Sequence, residues 1–357
     1  MARAELVVDR LVATGFIRPS VLWRGLQHSR PSFSHWGVGL LIGLSGLLVE
    51  PLAWLQSLLY AQRLRRVQLP DDPIVIIGHW RSGTTYLHQL LACDPVVATA
   101  RNTLTMAPQV ALLLQPWIAP LMKAWMTRVR PIDAVPWGPD DPQEDEVGLA
   151  RLTFDTNMGG MAFPRDYLAN FRRHVLETST AYERQWLTFC RLTWLHDGAG
   201  KSHWLIKNSV HTARVRLVLK HFPRARFVLL RRSPIDSIRS LVQVKQRLGA
   251  LVGLQPLPDP PTQVEETATA HRELLEAFEA SRHLIPAQQL LELDYDDLIS
   301  QPLQAVEGIY THFDLTSWPV AEAPIKARID RARSYTADPV QLPPLAERRL
   351  QELVKAS

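Results

Sequence analysis

The segment that most constrains the fold is a glycine-containing loop at residues 78–85, GHWRSGTT. It follows a short β-branched run, IVIIG at residues 74–78, and precedes TTYLHQLLA at residues 84–92, whose apolar positions recur at helical spacing. Short apolar runs of this kind are typical of buried parallel strands. The order strand, tight loop, helix predicts an anion-binding loop, because glycines let the backbone wrap an anion and the helix N-terminus donates N–H groups to it.

One residue departs from the nucleoside-triphosphatase form of this loop. Thr84 stands where a lysine normally reaches the β- and γ-phosphates, and the cation of the loop itself is Arg81. Such a site suits a ligand with less charge to neutralise and no metal, and a phosphosulfate fits because its sulfate carries a single negative charge. Taken alone, the loop is also compatible with a generic helix-capping turn in which Ser82 or Thr84 is the cap.

Beyond the loop, strand and helix patterns alternate along the chain. Strand patterns occur at residues 203–207, 222–230 and 289–295, helix patterns at 210–221 and 263–280, and proline-rich loop patterns at 131–146 and 251–262. This alternation predicts an α/β fold, a P-loop-like parallel sheet flanked by helices with an N-terminal helical extension. We divide the chain into that extension at residues 1–70, a main domain at 71–320 and a C-terminal helical tail at 321–357.

The N-terminal extension contains the most apolar part of the chain. Residues 37–49 carry no charge, Glu50 and Pro51 follow, and a second apolar run ends before three arginines within residues 63–66. We expect a helix break at Pro51, with the proline at the first position of a second helix. Three interpretations stay open: helices packed on the domain or in an oligomer interface, an in-plane membrane anchor with its arginines at the headgroups, or a membrane span.

Charge and cysteine usage restrict the partners and the compartment. The net charge of +5 favours anionic ligands or surfaces, and the sequence lacks the dense lysine and arginine runs of nucleic-acid-binding tails. Cys93 and Cys190 are too few for a disulfide framework or a metal site, so we expect buried, reduced thiols. Glu5 and Asp9 interrupt the N-terminus where a signal peptide would be apolar. We expect a cytoplasmic protein, at the inner face of a membrane if the extension anchors it.

A second anion-binding pattern lies at residues 222–241, FPRARFVLLRRSPIDSIRSL. It predicts a strand that runs through R-x-P into a helix, with Arg232 at the strand end and Ser240 about two turns into the helix. Arginine offers a planar charged fork and serine a neutral donor, so the two side chains can bind one phosphate together. The alternative is an exposed arginine and a solvent-facing serine.

With both patterns in view, the sequence GHWRSGTTYLHQLL resembles the 5′-phosphosulfate loop of the sulfotransferase superfamily in its R-S-G-T-T form. It is similar to bacterial sulfotransferase-domain proteins and, more distantly, to tyrosylprotein sulfotransferases, and the resemblance covers residues 73–315. It implies transfer of a sulfuryl group from 3′-phosphoadenosine 5′-phosphosulfate to a hydroxyl acceptor without a metal, with adenosine 3′,5′-bisphosphate as the product.

The resemblance also assigns residues to the donor. The loop residues that would hold the 5′-phosphosulfate are Arg81, Ser82, Gly83, Thr84 and Thr85. Arg232 and Ser240 resemble the family's 3′-phosphate pattern, RDPxxxxxS, although Ser233 replaces the aspartate. Tyr295 lies in a segment similar to the family's YEDL motif, whose tyrosine is near the nucleotide, although core packing explains this ring equally well.

Two cations are candidates for stabilising the charge that grows on the leaving phosphate oxygen. The first is Arg81 in the loop. The second is Lys207 at the end of the strand HWLIK, where KNSVH resembles the family's K-x-P-x-H pattern with Ser209 in place of the proline. A lysine in that position contacts the transferred group in the family; an ordinary strand-end lysine is the alternative.

The acceptor hydroxyl needs a general base, and here the resemblance weakens. Tyrosylprotein relatives carry a glutamate about twenty residues beyond the loop, a region where this chain has Arg101 and Asn102. We expect the base to be Glu144 or Glu146 in the segment PQEDE, or else His211, whose imidazole suits neutral pH. Each also has a structural alternative, a helix N-terminus for the acids and an internal hydrogen bond for the histidine.

Two other function classes stay open at this stage: a P-loop phosphotransferase, and a non-catalytic, membrane-associated nucleotide-binding protein. The acceptor is a small molecule, a lipid or a glycan, because aromatic walls built from some of the 11 tryptophans would suit all three. A membrane surface and a homodimer are the partners that the apolar extension favours, and we expect no nucleic acid.

Overall fold

A computed structural model describes residue 10 and residues 14–125, 137–332 and 340–355. Five strands form one sheet within these residues: β1 Ile74–Gly78, β2 Val97–Thr99, β3 His203–Lys207, β4 Arg226–Arg231 and β5 Leu290–Asp294. All four pairings are parallel, in the order β2-β3-β1-β4-β5. The predicted α/β class with a parallel sheet flanked by helices is therefore confirmed.

Helices precede, connect and follow the strands. Before and around the first strands lie α1 Pro19–His28, α2 Trp36–Arg66, α3 Thr84–Leu91, α4 Asn102–Thr105 and α5 Gln115–Trp125. Between β2 and β4 lie α6 Asp145–Leu149, α7 Met158–Ala162, α8 Tyr167–Phe171, α9 Thr180–Asp197 and α10 Val215–His221. The remainder are α11 Pro234–Val252, α12 Pro260–Arg282, α13 Tyr295–Ser300, α14 Pro302–His312, α15 Trp318–Ala332 and α16 Pro344–Lys355.

The sheet is buried on both faces because alternate residues of its central strands enter different cores. Val75 and Ile77 of β1 join one apolar cluster, whereas Ile74 and Ile76 join the other. Alternate residues of β4 also join these two clusters. The continuous apolar run that predicted a buried parallel strand therefore serves two cores at once.

Strand register brings three predicted site segments to one edge of the sheet. In the β1–β3 pair Ile76 lies opposite Lys207, and in the β1–β4 pair Gly78 lies opposite Leu230. Parallel strands end on the same side, so the loop after β1, Lys207 and the residues after β4 are neighbours.

Element boundaries differ from the predictions by a few residues. The strand expected at 222–230 begins at Arg226, because Phe222–Ala225 form a turn, and the loop expected at 251–262 is bounded by Val252 and Pro260. Of the loop expected at 131–146, residues 137–144 are irregular and residues 131–136 lie outside the described part of the chain. Residues 1–9 of the extension and 333–339 of the tail also lie outside it.

The helix break expected at Pro51 is wrong. Helix α2 continues through Pro51, from Trp36 to Arg66. Val49 and Ala53, on either side of the proline, pack on the same cluster with Val110, so the core holds both halves of the helix in line. Pro51 itself is exposed, and the backbone hydrogen bond that it removes is lost on the side away from that core.

Candidate active site

The loop after β1 turns sharply into α3. Gly83, the last residue before α3, has φ +91°, and a Cβ there would lie 2.6 Å from Cδ2 of Tyr295. Only glycine fits this left-handed conformation and this close approach. The Ser82 hydroxyl folds back and donates to the His79 carbonyl at 2.6 Å. Thr84 and Thr85 follow as the first residues of α3, so their N–H groups belong to its N-terminus.

Arg81 connects the loop to the second predicted anion site. Its Nε donates to the Ser240 hydroxyl at 2.9 Å, and its carbonyl accepts from Nη1 of Arg232 at 2.7 Å. The two residues predicted to bind one phosphate therefore both contact the loop. The structure brings the two sequence patterns, which lie about 150 residues apart, into one site.

The guanidinium of Arg232 lies over the ring of Tyr295, 4.1 Å from the ring centroid. This cation–π contact fixes the orientation of the arginine without neutralising its charge. The preceding residue, Arg231, behaves differently: its Nε donates to Glu292 at 2.5 Å, and Glu279 lies 3.4 Å away. Tyr295 therefore lies against both the loop glycine and the candidate phosphate-binding arginine.

On the other side of β1, Lys207 forms an ion pair with Glu144. Nζ of Lys207 lies 2.5 Å from Oε2 of Glu144, and the lysine is almost completely buried. The second carboxylate oxygen of Glu144 accepts from the backbone N–H of Ser209 at 3.0 Å. Two donors from the end of β3 thus hold this carboxylate beside the candidate catalytic cation.

Glu146 has a different environment from Glu144. It is buried, and its two oxygens accept from the backbone N–H of Asn157 at 2.7 Å and from Nδ2 of Asn208 at 3.1 Å. Burial raises the pKa of Glu146 to about 7, although the charge of Arg214 and the two hydrogen bonds oppose the shift. Because structural donors occupy both oxygens, Glu146 holds the segments around Lys207 together.

Asp145 lies between these two glutamates and is buried. Burial, and then the charges of Glu144 and Glu146, raise its pKa well above the usual range. Three consecutive acids therefore have three environments, and of the three only Glu144 forms an ion pair with Lys207.

His211 lies inside the core. Its ring packs edge-on against Trp186, with centroids 4.9 Å apart, and neither ring nitrogen has a hydrogen-bond partner among the described residues. Burial, followed by the charge of Arg214, lowers the pKa of His211 to about 3. The histidine is therefore neutral at physiological pH and buried in the core.

Sequence reasoning missed three residues that support the site. Asn208 and Asn157 bind Glu146, and the Thr212 hydroxyl accepts from the N–H of Gly78, the first loop residue, at 2.8 Å. The position of Asn208 directly after Lys207 was the one available signal. Asn157 and Thr212 carry no motif, because their roles depend on contacts across the fold.

Comparison with protein families gives one match that covers most of the chain. The model described as "Sulfotransferase family" matches residues 73–319. Curated relatives include the omega-hydroxy-beta-dihydromenaquinone-9 sulfotransferase Stf3 of Mycobacterium tuberculosis and of Mycobacterium bovis. Each is 25% identical over 311 residues, which are 85% of this chain and 77% of the relative.

Solved structures share the fold at lower identity. The sulfotransferase STF9 from Mycobacterium avium has a TM-score of 0.66 and 17% identity, and the match covers 94% of each chain. The sulfotransferase STF1 from Mycobacterium tuberculosis also has a TM-score of 0.66, with 18% identity over 93% of this chain and 90% of that one.

Proposed function

The chain belongs to the sulfotransferase family, whose matched region holds every predicted site residue, and we propose that its donor is 3′-phosphoadenosine 5′-phosphosulfate. Family membership supports sulfuryl transfer in general. The observation that carries the choice of donor is the contact of Arg232 and Ser240 with Arg81, because it joins a 5′-anion loop to a second anion site. A donor with phosphate groups on both the 5′ and the 3′ oxygens of its ribose needs two such sites.

The residues present fit this donor. The left-handed Gly83 lets the loop turn directly into α3, where a Cβ would collide with Tyr295, and the N–H groups at the start of α3 can donate to an anion. Arg81, Ser82, Gly83, Thr84 and Thr85 would then hold the 5′-phosphosulfate. Arg232 and Ser240 would hold the 3′-phosphate, while Tyr295 keeps the Arg232 guanidinium in place.

Lys207 and Arg81 are the proposed catalytic cations. When bound, the donor supplies the sulfuryl group, whose bond to the bridging phosphate oxygen breaks as a bond to the acceptor oxygen forms. Lys207, opposite Ile76 in the strand next to the loop, would donate hydrogen bonds to the transferred group. Arg81, inside the loop, would stabilise the charge that grows on the leaving oxygen.

Glu144 is the proposed general base, in preference to Glu146 and His211. Its carboxylate lies beside Lys207 and can accept the proton that the acceptor hydroxyl loses during attack. The oxygens of Glu146 bind Asn157 and Asn208 rather than Lys207, and His211 is buried against Trp186. The Ser209 N–H holds one oxygen of Glu144, and the other oxygen faces Lys207.

We infer that the acceptor is the hydroxyl of an apolar, lipid-like molecule. The curated relatives are named for a hydroxylated dihydromenaquinone, which is a lipid alcohol. In this chain, an exposed apolar helix, α2, packs on residues 107–112, which connect through α4 to the segment that carries Glu144. A helix with an exposed apolar face in the same chain suits a lipid alcohol better than a glycan.

The donor assignment is tested by thermal stabilisation with adenosine 3′,5′-bisphosphate, ADP or ATP with Mg²⁺. We expect stabilisation by the 3′-phosphorylated ligand alone, of about 3 kcal/mol at a ligand concentration of about 100 Kd. Arg232→Ala should weaken binding about 10- to 100-fold, because a charge-assisted contact to phosphate is lost.

Arg231→Ala is the matched control. This neighbouring arginine is paired with Glu292 and Glu279, so its loss should leave ligand binding unchanged. Equal stabilisation by ADP, or equal loss of binding in both variants, would contradict the 3′-phosphate site.

A further inference from the structure

Helix α2 exposes a broad apolar face to solvent. Leu40, Leu44, Leu48, Leu55 and Leu58 share one side of the helix, and Leu48 and Leu58 are 80% and 75% exposed. Trp54, also exposed, lies beside them, and Trp117 and Leu121 of α5 add exposed apolar area from the segment after Leu114. An exposed apolar surface of this extent marks an interaction site, because monomeric soluble proteins rarely show one.

The opposite face of α2 is built into the fold along its length. Ala53 packs with Ala107 and Val110, and Gln56 donates to the Pro108 carbonyl at 2.9 Å and accepts from the Leu112 N–H at 2.8 Å. Residues Phe33–Arg66 are long and apolar enough to cross a membrane. A span would have to break these contacts and place Gln56 in hydrocarbon, so the packing favours a helix that lies along a surface.

Charge at the helix ends identifies the kind of surface. Three exposed arginines, Arg63, Arg65 and Arg66, end α2, and Glu50 is the one acid in the helix sequence. Glu50 is neutralised by an ion pair with Arg18. A second copy of α2 would offer no free acid to these arginines, whereas anionic lipid headgroups would.

We propose that the exposed face of α2, with Trp117 and Leu121 of α5, docks on the surface of an anionic membrane. The leucine side chains enter the boundary between headgroups and acyl chains, and the arginines at the end of α2 contact the headgroups. Exposed Trp36, Trp54 and Trp117 suit the interface, where an indole keeps its ring in apolar surroundings and its N–H in polar ones.

The buried face of α2 is connected to the candidate base through one segment. Residues 107–112 pack on α2, and the preceding α4 supplies Asn102, whose Oδ1 accepts from Nε2 of Gln143 at 3.0 Å. Glu144 is the next residue. The contacts therefore link the helix that would dock to the segment that carries the candidate base, and the docking itself does not depend on the proposed function.

The test is flotation of the full chain with vesicles of phosphatidylcholine, with and without phosphatidylglycerol. We expect binding to the mixed vesicles, weakened about tenfold or more by Leu48→Glu and by Leu58→Glu. Replacing Arg63, Arg65 and Arg66 by glutamine one at a time should weaken binding to the anionic vesicles about fivefold for each substitution. Alkaline carbonate should release the bound protein, since no helix spans the bilayer in this arrangement.

Leu345→Glu is the matched control, because Leu345 is 68% exposed on α16, away from α2. It should bind like the wild type, and all variants should keep the wild-type melting temperature because each altered side chain is exposed. No flotation, equal loss in Leu345→Glu, or resistance to carbonate would each overturn the proposal. The proposal would also be overturned if the wild type formed a dimer that does not bind vesicles and if Leu48→Glu dissociated that dimer. Binding of adenosine 3′,5′-bisphosphate, measured in parallel, reports separately on the donor site.

Discussion

The two halves of the candidate site hold their cations differently. On the donor side, Arg232 contacts a loop carbonyl and the ring of Tyr295, and no carboxylate pairs with it among the described residues. On the acceptor side, Lys207 is buried against Glu144. In the candidate donor half the charge of Arg232 is therefore not neutralised by a carboxylate of the described residues, whereas in the candidate acceptor half Glu144 neutralises Lys207.

This difference follows from what each half must do. A site for a phosphate gains from a cation that is oriented in advance but not neutralised, and a carbonyl and an aromatic face provide this. A buried lysine alone would be costly, so an ion pair with additional hydrogen bonds keeps it in place. The partner that stabilises Lys207 is also a carboxylate that can take a proton.

The largest expected effect comes from a substitution in the acceptor half. Glu144→Gln should lower kcat for sulfuryl transfer to a lipid alcohol about 10²- to 10⁴-fold, because the base is lost while the shape is kept. Binding of adenosine 3′,5′-bisphosphate should stay unchanged, since the Glu144 side chain binds Lys207 and the Ser209 N–H at the end of β3. The measurement is transfer of a radiolabelled sulfuryl group to the acceptor in micelles, beside ligand-induced thermal stabilisation.

Glu146→Gln, two residues away, is the matched control for this experiment. It removes an acid of the same size whose oxygens bind Asn157 and Asn208 rather than Lys207. We expect kcat within about tenfold of the wild type. If Glu146→Gln were the inactive variant and Glu144→Gln the active one, the assignment of the base would be reversed.

A second, smaller effect concerns stability and pH. The folded protein holds the proton of Glu146 up to about pH 7, whereas the unfolded chain releases it near 4.5. The stabilisation is therefore fully present below pH 4.5 and is lost as the pH rises through 7. From the shift, the free energy of unfolding should fall by about 3 kcal/mol across this window.

Chemical denaturation between pH 5 and 8 measures this slope. In Glu146→Gln the contribution of this group should disappear, so the free energy of unfolding should depend less on pH than in the wild type. Asp145 stays in both proteins and its raised pKa acts in the same direction, so it cancels from the difference. An unchanged slope would show that Glu146 is ionised in the folded protein at neutral pH.

Local sequence signals predicted the fold and the donor half. The buried run before the loop, the spacing of Arg232 and Ser240, and the alternation of elements each arise from interactions within a short stretch. A proline at the start of a helix is also a local signal, but at Pro51 the packing of Val49 and Ala53 overrides it. Strand β2, only three residues long, gave no pattern to recognise.

The acceptor half was less predictable because it depends on contacts across the fold. Glu144 and Lys207 lie 63 residues apart, and the sequence does not show which of three consecutive acids faces the lysine. His211 has the right chemistry and an acceptable position in the sequence, but burial beside Trp186 gives it surroundings that a motif does not reveal. Sequence motifs predict which residues belong to the candidate site, whereas the direction of each side chain comes only from the structure.

The smallest expected effect concerns a glycine of the donor half. Gly83 and Gly200 both have positive φ, +91° and +73°, so alanine at either position should cost about 1–2 kcal/mol of stability. An added Cβ at Gly83 would lie 2.6 Å from Cδ2 of Tyr295, whereas at Gly200 it meets nothing within 4 Å. Gly83→Ala should therefore displace the ring that orients Arg232 and weaken binding of adenosine 3′,5′-bisphosphate about tenfold. Gly200→Ala should bind it like the wild type, and equal affinity in both variants would show that Tyr295 does not support the anion site.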